Sequence, residues 1–220
     1  MLFRSDAGFA FDGDADRMLA VDENGNLVDG DAIMAICANS MKKKGTLNNN
    51  TLVATVMSNL GLFIMGEKCG IDVLKTKVGD RYVLEEMLKG GHSIGGEQSG
   101  HVIFLEHNTT GDGLVSAVCL ASVMCEEGKK LSELAKVIDI YPQVLKNARV
   151  AKSGDTSYSE DEVIMAAINK LEEKFSGEGR VLIRPSGTEP LVRVMIEGKN
   201  QEEITRDAEE LAKLIEERLS

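Results

Sequence analysis

Tryptophan is absent, and aromatic residues make up only 4% of the 220-residue chain. A sequence this poor in rings offers no stacking platform for single-stranded nucleic acid. Cations are in the minority, 25 Lys and Arg against 36 Asp and Glu, for a formal net charge of −11. Such a chain repels nucleic acid and anionic membrane surfaces at long range, while a local basic pocket for one anion stays open. The cysteines, Cys37, Cys69, Cys119 and Cys125, make no CxxC pair and no zinc spacing. Free thiols in a reducing cytoplasm are the expectation. No apolar run is long enough to span a bilayer, and Met1-Leu2-Phe3-Arg4-Ser5-Asp6 lacks the apolar centre of a signal peptide. What remains, 43% hydrophobic and 28% charged residues, is the balance of a globular protein of one or two domains.

The chain opens on two short apolar stretches, residues 7–11 and 18–21, around a polar loop at 12–17. Asn24-Gly25 then marks a turn. One hairpin is not stable alone, so it either leans on the chain beyond it or is the remnant of an upstream domain. From Asp29 the pattern alternates. Helices are predicted at 31–43, 60–69, 81–89 and 112–126, the first with Ile33, Ile36 and Met41 on one apolar face. Strands are predicted at 51–57, 71–76 and 102–105, with 92–95 leading into a glycine-rich loop. This order predicts a mainly parallel sheet with helices on both faces and room for antiparallel edges. A boundary falls near Ile140-Tyr141-Pro142. Beyond it, strands at 143–150, 180–184 and 191–197 and helices at 160–174 and 201–219 predict a sheet with helices on one side. The fold class expected is α/β: a three-layer mixed-sheet domain (28–140) followed by a small α+β C-terminal domain (141–220), preceded by a hairpin remnant (1–27) of an upstream α/β domain.

Three stretches carry chemistry. In Asp12-Gly13-Asp14-Ala15-Asp16-Arg17, carboxylates on alternate residues can converge on one hard divalent cation. An EF-hand needs glycine where Arg17 stands and helices where these flanks read as strands, and a solvated acidic turn is the plain alternative. In Gly95-Gly96-Glu97-Gln98-Ser99-Gly100-His101, glycines admit a ligand close to the backbone, and Glu97 and Ser99 can bond sugar hydroxyls. His101 can move a proton near neutral pH; an incidental histidine in a glycine turn is the alternative. In Arg184-Pro185-Ser186-Gly187-Thr188-Glu189-Pro190, with Arg193 on the next strand, a tight turn can ring a dianionic phosphate with N–H groups, hydroxyls and a bidentate Arg184; a simple hairpin turn would need no more than Pro-Ser-Gly. A weaker stretch, Lys77-Val78-Gly79-Asp80-Arg81, either reaches substrate at a helix N-terminus or merely supplies Asp80 as a cap.

Taken together and in this order, the three motifs resemble the α-D-phosphohexomutase family, over residues 7–220. The sugar loop and Lys77-Val78-Gly79-Asp80-Arg81-Tyr82-Val83 are most similar to bacterial members acting on glucosamine phosphates. The resemblance implies four domains around a central cleft, of which this chain carries the tail of the second, the third and the fourth. It implies Mg2+ on Asp12, Asp14 and Asp16, catalytic roles for Arg17 and His101, sugar hydroxyls on Glu97 and Ser99, and phosphate on Arg184, Ser186, Gly187 and Thr188, helped by Arg193. The reaction implied interconverts glucosamine 6-phosphate and glucosamine 1-phosphate through an enzyme phosphoserine and a bisphosphate intermediate, on the route to UDP-N-acetylglucosamine and cell-wall precursors. A hexosamine phosphate is the implied partner, with a homodimer for the full-length protein. The family's phosphoserine loop, of the type Thr-Ala-Ser-His-Asn-Pro, occurs nowhere in the chain, so the expectation is a C-terminal part without activity of its own. Leu2-Phe3-Arg4-Ser5 is also what a common sequencing-adapter end encodes, so residues 1–5 are expected to be an artefact joined to a truncated gene. The alternatives are a part of a mannose- or glucose-phosphate mutase, and a non-catalytic sugar-phosphate binding module.

Overall fold

The structure, a computed structural model, describes residues 4–220. The expectation attached to residues 1–5 lies, for Met1, Leu2 and Phe3, outside the described residues. Two compact units divide the chain, 1–140 and 141–220.

The first unit begins with a three-stranded antiparallel sheet, β1 (Ala7–Phe11), β2 (Met18–Asp22) and β3 (Leu27–Val28). Its second turn is tied by the Asp22 carboxylate, which accepts the N–H groups of Asn24 and Asn26, each at 2.8 Å. Met18, Ala20 and Val28 turn inward and join the unit's main core, whereas Phe9 and Phe11 on β1 stay exposed. The hairpin therefore leans on the rest of its unit.

Helix α1 (Gly30–Lys44) starts at Asp29, whose carboxylate accepts the Ala32 N–H at 3.0 Å, and stops at Gly45 in the left-handed region. The expectation of one apolar face is corrected here. From Gly30 to Ala38 every residue of α1 is buried. Ala32, Ala35 and Ala38 are small enough for neighbours to close round the helix on all sides.

The chain continues through β4 (Thr51–Thr55), α2 (Leu60–Cys69), β5 (Asp72–Thr76), α3 (Asp80–Gly90), β6 (Ile94–Gly96), β7 (Val102–Phe104), α4 (Gly113–Glu127) and the short α5 (Leu131–Leu134). The sheet order is β5-β4-β6-β7. β4 pairs parallel with β5 and β6, and only β7, at the edge, runs antiparallel. β4 is buried at every position, as a central strand covered on both faces must be. It ends two residues earlier than its apolar run, because Thr55 turns the chain: its hydroxyl accepts the Met57 N–H and its carbonyl the Ser58 N–H. Val83 and Met87 of α3 pack with Val53 and Ile103, while α1, α2 and α4 contribute to the larger core, which gives three layers.

The second unit is a three-stranded antiparallel sheet, β8 (Gln143–Arg149), β9 (Gly179–Pro185) and β10 (Leu191–Gly198), in the order β8-β10-β9. Helices α6 (Glu162–Lys174) and α7 (Gln201–Leu219) complete it. Val192, Val194 and Ile196 of β10 pack with Ile164 and Ile168 of α6 and with Ile204, Ala208 and Leu211 of α7. Alternate residues of one strand meet both helices, so the helices share one face. Among the described residues no helix is long and apolar enough to cross a membrane.

Candidate functional site

The acidic loop joins β1 to β2, and Ala15 bends it with a positive φ of 59°. One oxygen from each of Asp12, Asp14 and Asp16 falls within 4.8 Å of the others. Arg17 lies over the cluster, with Nε 3.7 Å from Asp12 and 3.8 Å from Asp16, and its backbone N–H donates to Asp12 at 3.3 Å. Asp16 Oδ1 is shielded from solvent and accepts no hydrogen bond. Three hard oxygen donors on one bend, with one orphaned lone-pair site among them, fit a divalent cation such as Mg2+.

The glycine loop joins β6 to β7 and is clamped onto the hairpin. Met18 N–H donates to Gly100 O at 3.1 Å, and Gly30 N–H to Gln98 O at 3.0 Å. Gly100 has a φ of 95°, and a Cβ there would stand 2.3 Å from the Met18 carbonyl oxygen, so only glycine fits. Glu97 is half-buried and Ser99 exposed. The Gly79 N–H donates to Glu97 Oε1 at 3.0 Å, which brings the 77–81 stretch to the glycine loop. Asp80 is the first helical residue of α3, and Gly79 occupies the cap position without a side-chain bond, so the capping role weighed for Asp80 is corrected. His101 is buried; its Nδ1 lies 3.1 Å from Asp16 Oδ2 and its Nε2 accepts the Gly111 N–H at 3.1 Å. The structure thus links Asp12, Asp16, Arg17 and His101 by polar contacts and sets Asp14 beside them.

In the second unit Arg184, at the end of β9, stands directly opposite Arg193 of β10. Burial, together with the Arg193 charge, pushes the Arg184 guanidinium below its ordinary value. Arg184 Nε is buried without a hydrogen-bond partner. Two guanidiniums side by side, one with an unmet donor, are a receptor for an anion. Gly187 and Thr188 are exposed at the tip of the turn. Ser186 is different: it is buried, its hydroxyl accepts the Glu189 N–H at 3.2 Å, and its carbonyl accepts the Gly154 N–H at 2.8 Å. It braces the turn from inside. Sequence reasoning missed Gly111 and Gly154, and it picked out the 77–81 stretch for its charges and not for the Gly79 N–H; these groups act through the backbone and carry no side-chain signal.

A parallel-centred α/β unit with an acidic loop clasped to a glycine loop, followed by a three-stranded α+β unit with a cationic turn, has the architecture of the phosphohexomutase superfamily. The chain belongs to the phosphoglucomutase/phosphomannomutase family: the model of its alpha/beta/alpha domain III matches residues 29–141, and that of its C-terminal domain matches residues 145–214. Among curated relatives it is 65% identical over 217 residues to a phosphoglucosamine mutase of Ruminiclostridium cellulolyticum, covering 99% of this chain and 48% of that protein. It is 64% identical over 215 residues to that of Acetivibrio thermocellus, covering 98% and 48%. The chain therefore spans about half the length of the curated relatives it matches. The Aspergillus fumigatus N-acetylphosphoglucosamine mutase, solved in complex with GlcNAc-6P and magnesium, shares the fold with a TM-score of 0.78 at 20% identity, over 96% of this chain and 49% of that one.

Proposed function

We propose that the chain supplies metal, sugar and phosphate recognition to a Mg2+-dependent phosphoglucosamine mutase, which interconverts glucosamine 6-phosphate and glucosamine 1-phosphate in the cytoplasm. The observation that carries this reading is the high identity to proteins of that name across the span holding all three motifs. Asp12, Asp14 and Asp16 hold the ion, which when bound supplies positive charge to a phosphoryl group in transfer. Arg17 offsets part of the carboxylate charge. Glu97, steadied by the Gly79 N–H, accepts sugar hydroxyls with Ser99 beside it. Arg184 and Arg193, with Gly187 and Thr188, hold a phosphate dianion, and Ser186 keeps that turn in shape. The phosphoryl carrier is an enzyme serine in a loop that these 220 residues do not contain. The reading further includes a bisphosphate intermediate, supply of UDP-N-acetylglucosamine for cell-wall precursors, and a homodimer of the full-length enzyme. Residues 1–27, 28–140 and 141–220 are its metal-loop, sugar and phosphate parts.

The test has two arms on the purified chain. A steady-state assay with glucosamine 6-phosphate, Mg2+ and a hexose bisphosphate is expected to show no turnover. Calorimetry is expected to show modest binding of glucosamine 6-phosphate, tighter than that of mannose 6-phosphate. Turnover that survives removal of host enzyme overturns the assignment of the phosphoryl carrier, and a preference for mannose 6-phosphate overturns the substrate.

A further inference from the structure

The turn that joins β6 to β7 is held from three sides by three other elements. Gly100 N–H donates to Glu97 O at 3.0 Å, which closes a four-residue turn with Gln98 and Ser99 at its centre. The Gly79 N–H ties Glu97 to the start of α3, and the Met18 N–H ties Gly100 to the start of β2. Gln98 faces the start of α1 and is held there twice. Its carbonyl accepts the Gly30 N–H at 3.0 Å, and its side-chain amide donates to Asp29 Oδ2 at 3.3 Å. Ser99 is exposed, and its hydroxyl makes no hydrogen bond among the described residues.

The contact with α1 leaves no slack. A Cβ on Gly30 would stand 2.2 Å from the Glu97 carbonyl oxygen and 2.7 Å from the Gly100 nitrogen, so the turn lies directly on the first residue of the helix. Asp29 divides its carboxylate: Oδ1 accepts the Ala32 N–H at 3.0 Å and caps α1, while Oδ2 takes Gln98. A carboxylate only accepts, so the NH2 of Gln98 is the group that meets it, and the bond is charge-assisted. Backbone bonds alone would hold the ends of the turn. The amide adds a side-chain tie at its centre, between Glu97 and Ser99.

We propose that Gln98 is a positioning residue for sugar recognition: by joining the turn to the Asp29 cap of α1, it fixes where Glu97 and Ser99 meet hexose hydroxyls, and so which hydroxyl pattern is preferred. Gln98 itself touches no substrate. The inference rests on the proposed role of Glu97 and Ser99 in holding sugar hydroxyls. A site that bonds particular hydroxyls discriminates among hexoses only while its own groups are held in register.

Calorimetry on the whole chain compares glucosamine 6-phosphate, mannose 6-phosphate and inorganic phosphate. Gln98→Met keeps the length of the side chain and loses the amide. It is expected to weaken glucosamine 6-phosphate about threefold to tenfold and to erase most of the preference over mannose 6-phosphate. Inorganic phosphate, which has no hydroxyl pattern to read, is expected to bind as it does to the parent. Gln98→Glu sets two carboxylates together and is expected to lose the preference likewise. Adding Asp29→Asn, which still caps α1 and donates an amide N–H in the opposite direction, is expected to restore it. A Gln98→Met chain with the parental preference overturns the proposal. So does a double variant no better than Gln98→Glu alone, or a loss that falls equally on inorganic phosphate. A parent chain with no preference between the two hexose phosphates overturns the sugar reading of the turn, and this inference with it.

Discussion

Arg184 and Arg193 occupy opposite positions on antiparallel neighbours, so their side chains share one face of the sheet. Like charges placed this way disfavour the unliganded state, and an anion between them reverses the sign. Arg184→Ala should remove a charge-assisted hydrogen bond of roughly 1.5–3 kcal/mol, on the order of tenfold to a hundredfold in affinity for glucosamine 6-phosphate. Amide shifts at Gly187 and Thr188 during a titration measure it; shifts that persist unchanged in the variant would reduce the turn to a hairpin connection. At this scale the sequence displays charge and spacing well. Asp12, Asp14, Asp16, Glu97, Arg184 and Arg193 stand out as residue types in a pattern. It hides whatever depends on a neighbour. The Glu189 N–H on the Ser186 hydroxyl, and Gly111 and Asp16 on either side of the His101 ring, have no signal in the sequence.

Helix ends are where local sequence speaks most clearly. Asp29, Asn59, Asp112, Asp161 and Asn200 each accept an N–H of the first turn, and Gly45, Gly70, Gly91 and Gly128 each close a helix in the left-handed region. These signals kept most predicted boundaries within a residue or two. The short elements were missed: β3 has two residues and α5 four, too few for any periodicity. Asp161 does more than cap α6. It accepts from Arg218 of α7 at 2.7 Å, and Arg218, with the Ile164 and Val163 N–H groups, holds its carboxyl below the usual range. A folded value below the unfolded one stabilises the protein above the unfolded pKa of about 3.9 and is lost as pH falls through the folded value. Asp161→Asn should therefore lower the urea midpoint at pH 7, and by less at pH 3. A difference of the same size at both pH values would assign the effect to the cap and not to the charge.

Each unit of the molecule builds its core from its own residues. Val144, Ala148, Val192, Val194, Ile196, Ile164 and Ile204 close the second one without help from residues 1–140. Residues 141–220 alone should thus unfold in one cooperative urea transition, with a slope of about 1 kcal/mol/M as suits a small domain. A broad, sloping change in circular dichroism would mean that the unit depends on the rest of the chain. The division near residue 140 was visible in the sequence because parallel-sheet alternation gives way there to longer, charged amphipathic helices such as 201–219. What stayed hidden is how the strands are ordered, because pairing joins residues far apart along the chain. That order bears on synthesis. In the first unit's larger sheet the strand with parallel partners on both sides, β4, leaves the ribosome before them, so β5 and β6 can dock as each emerges. In the second unit the shared strand, β10, is translated after both of its partners. β8 and β9 must wait as unpaired nascent chain until it arrives, and the whole sheet then closes in a single late step.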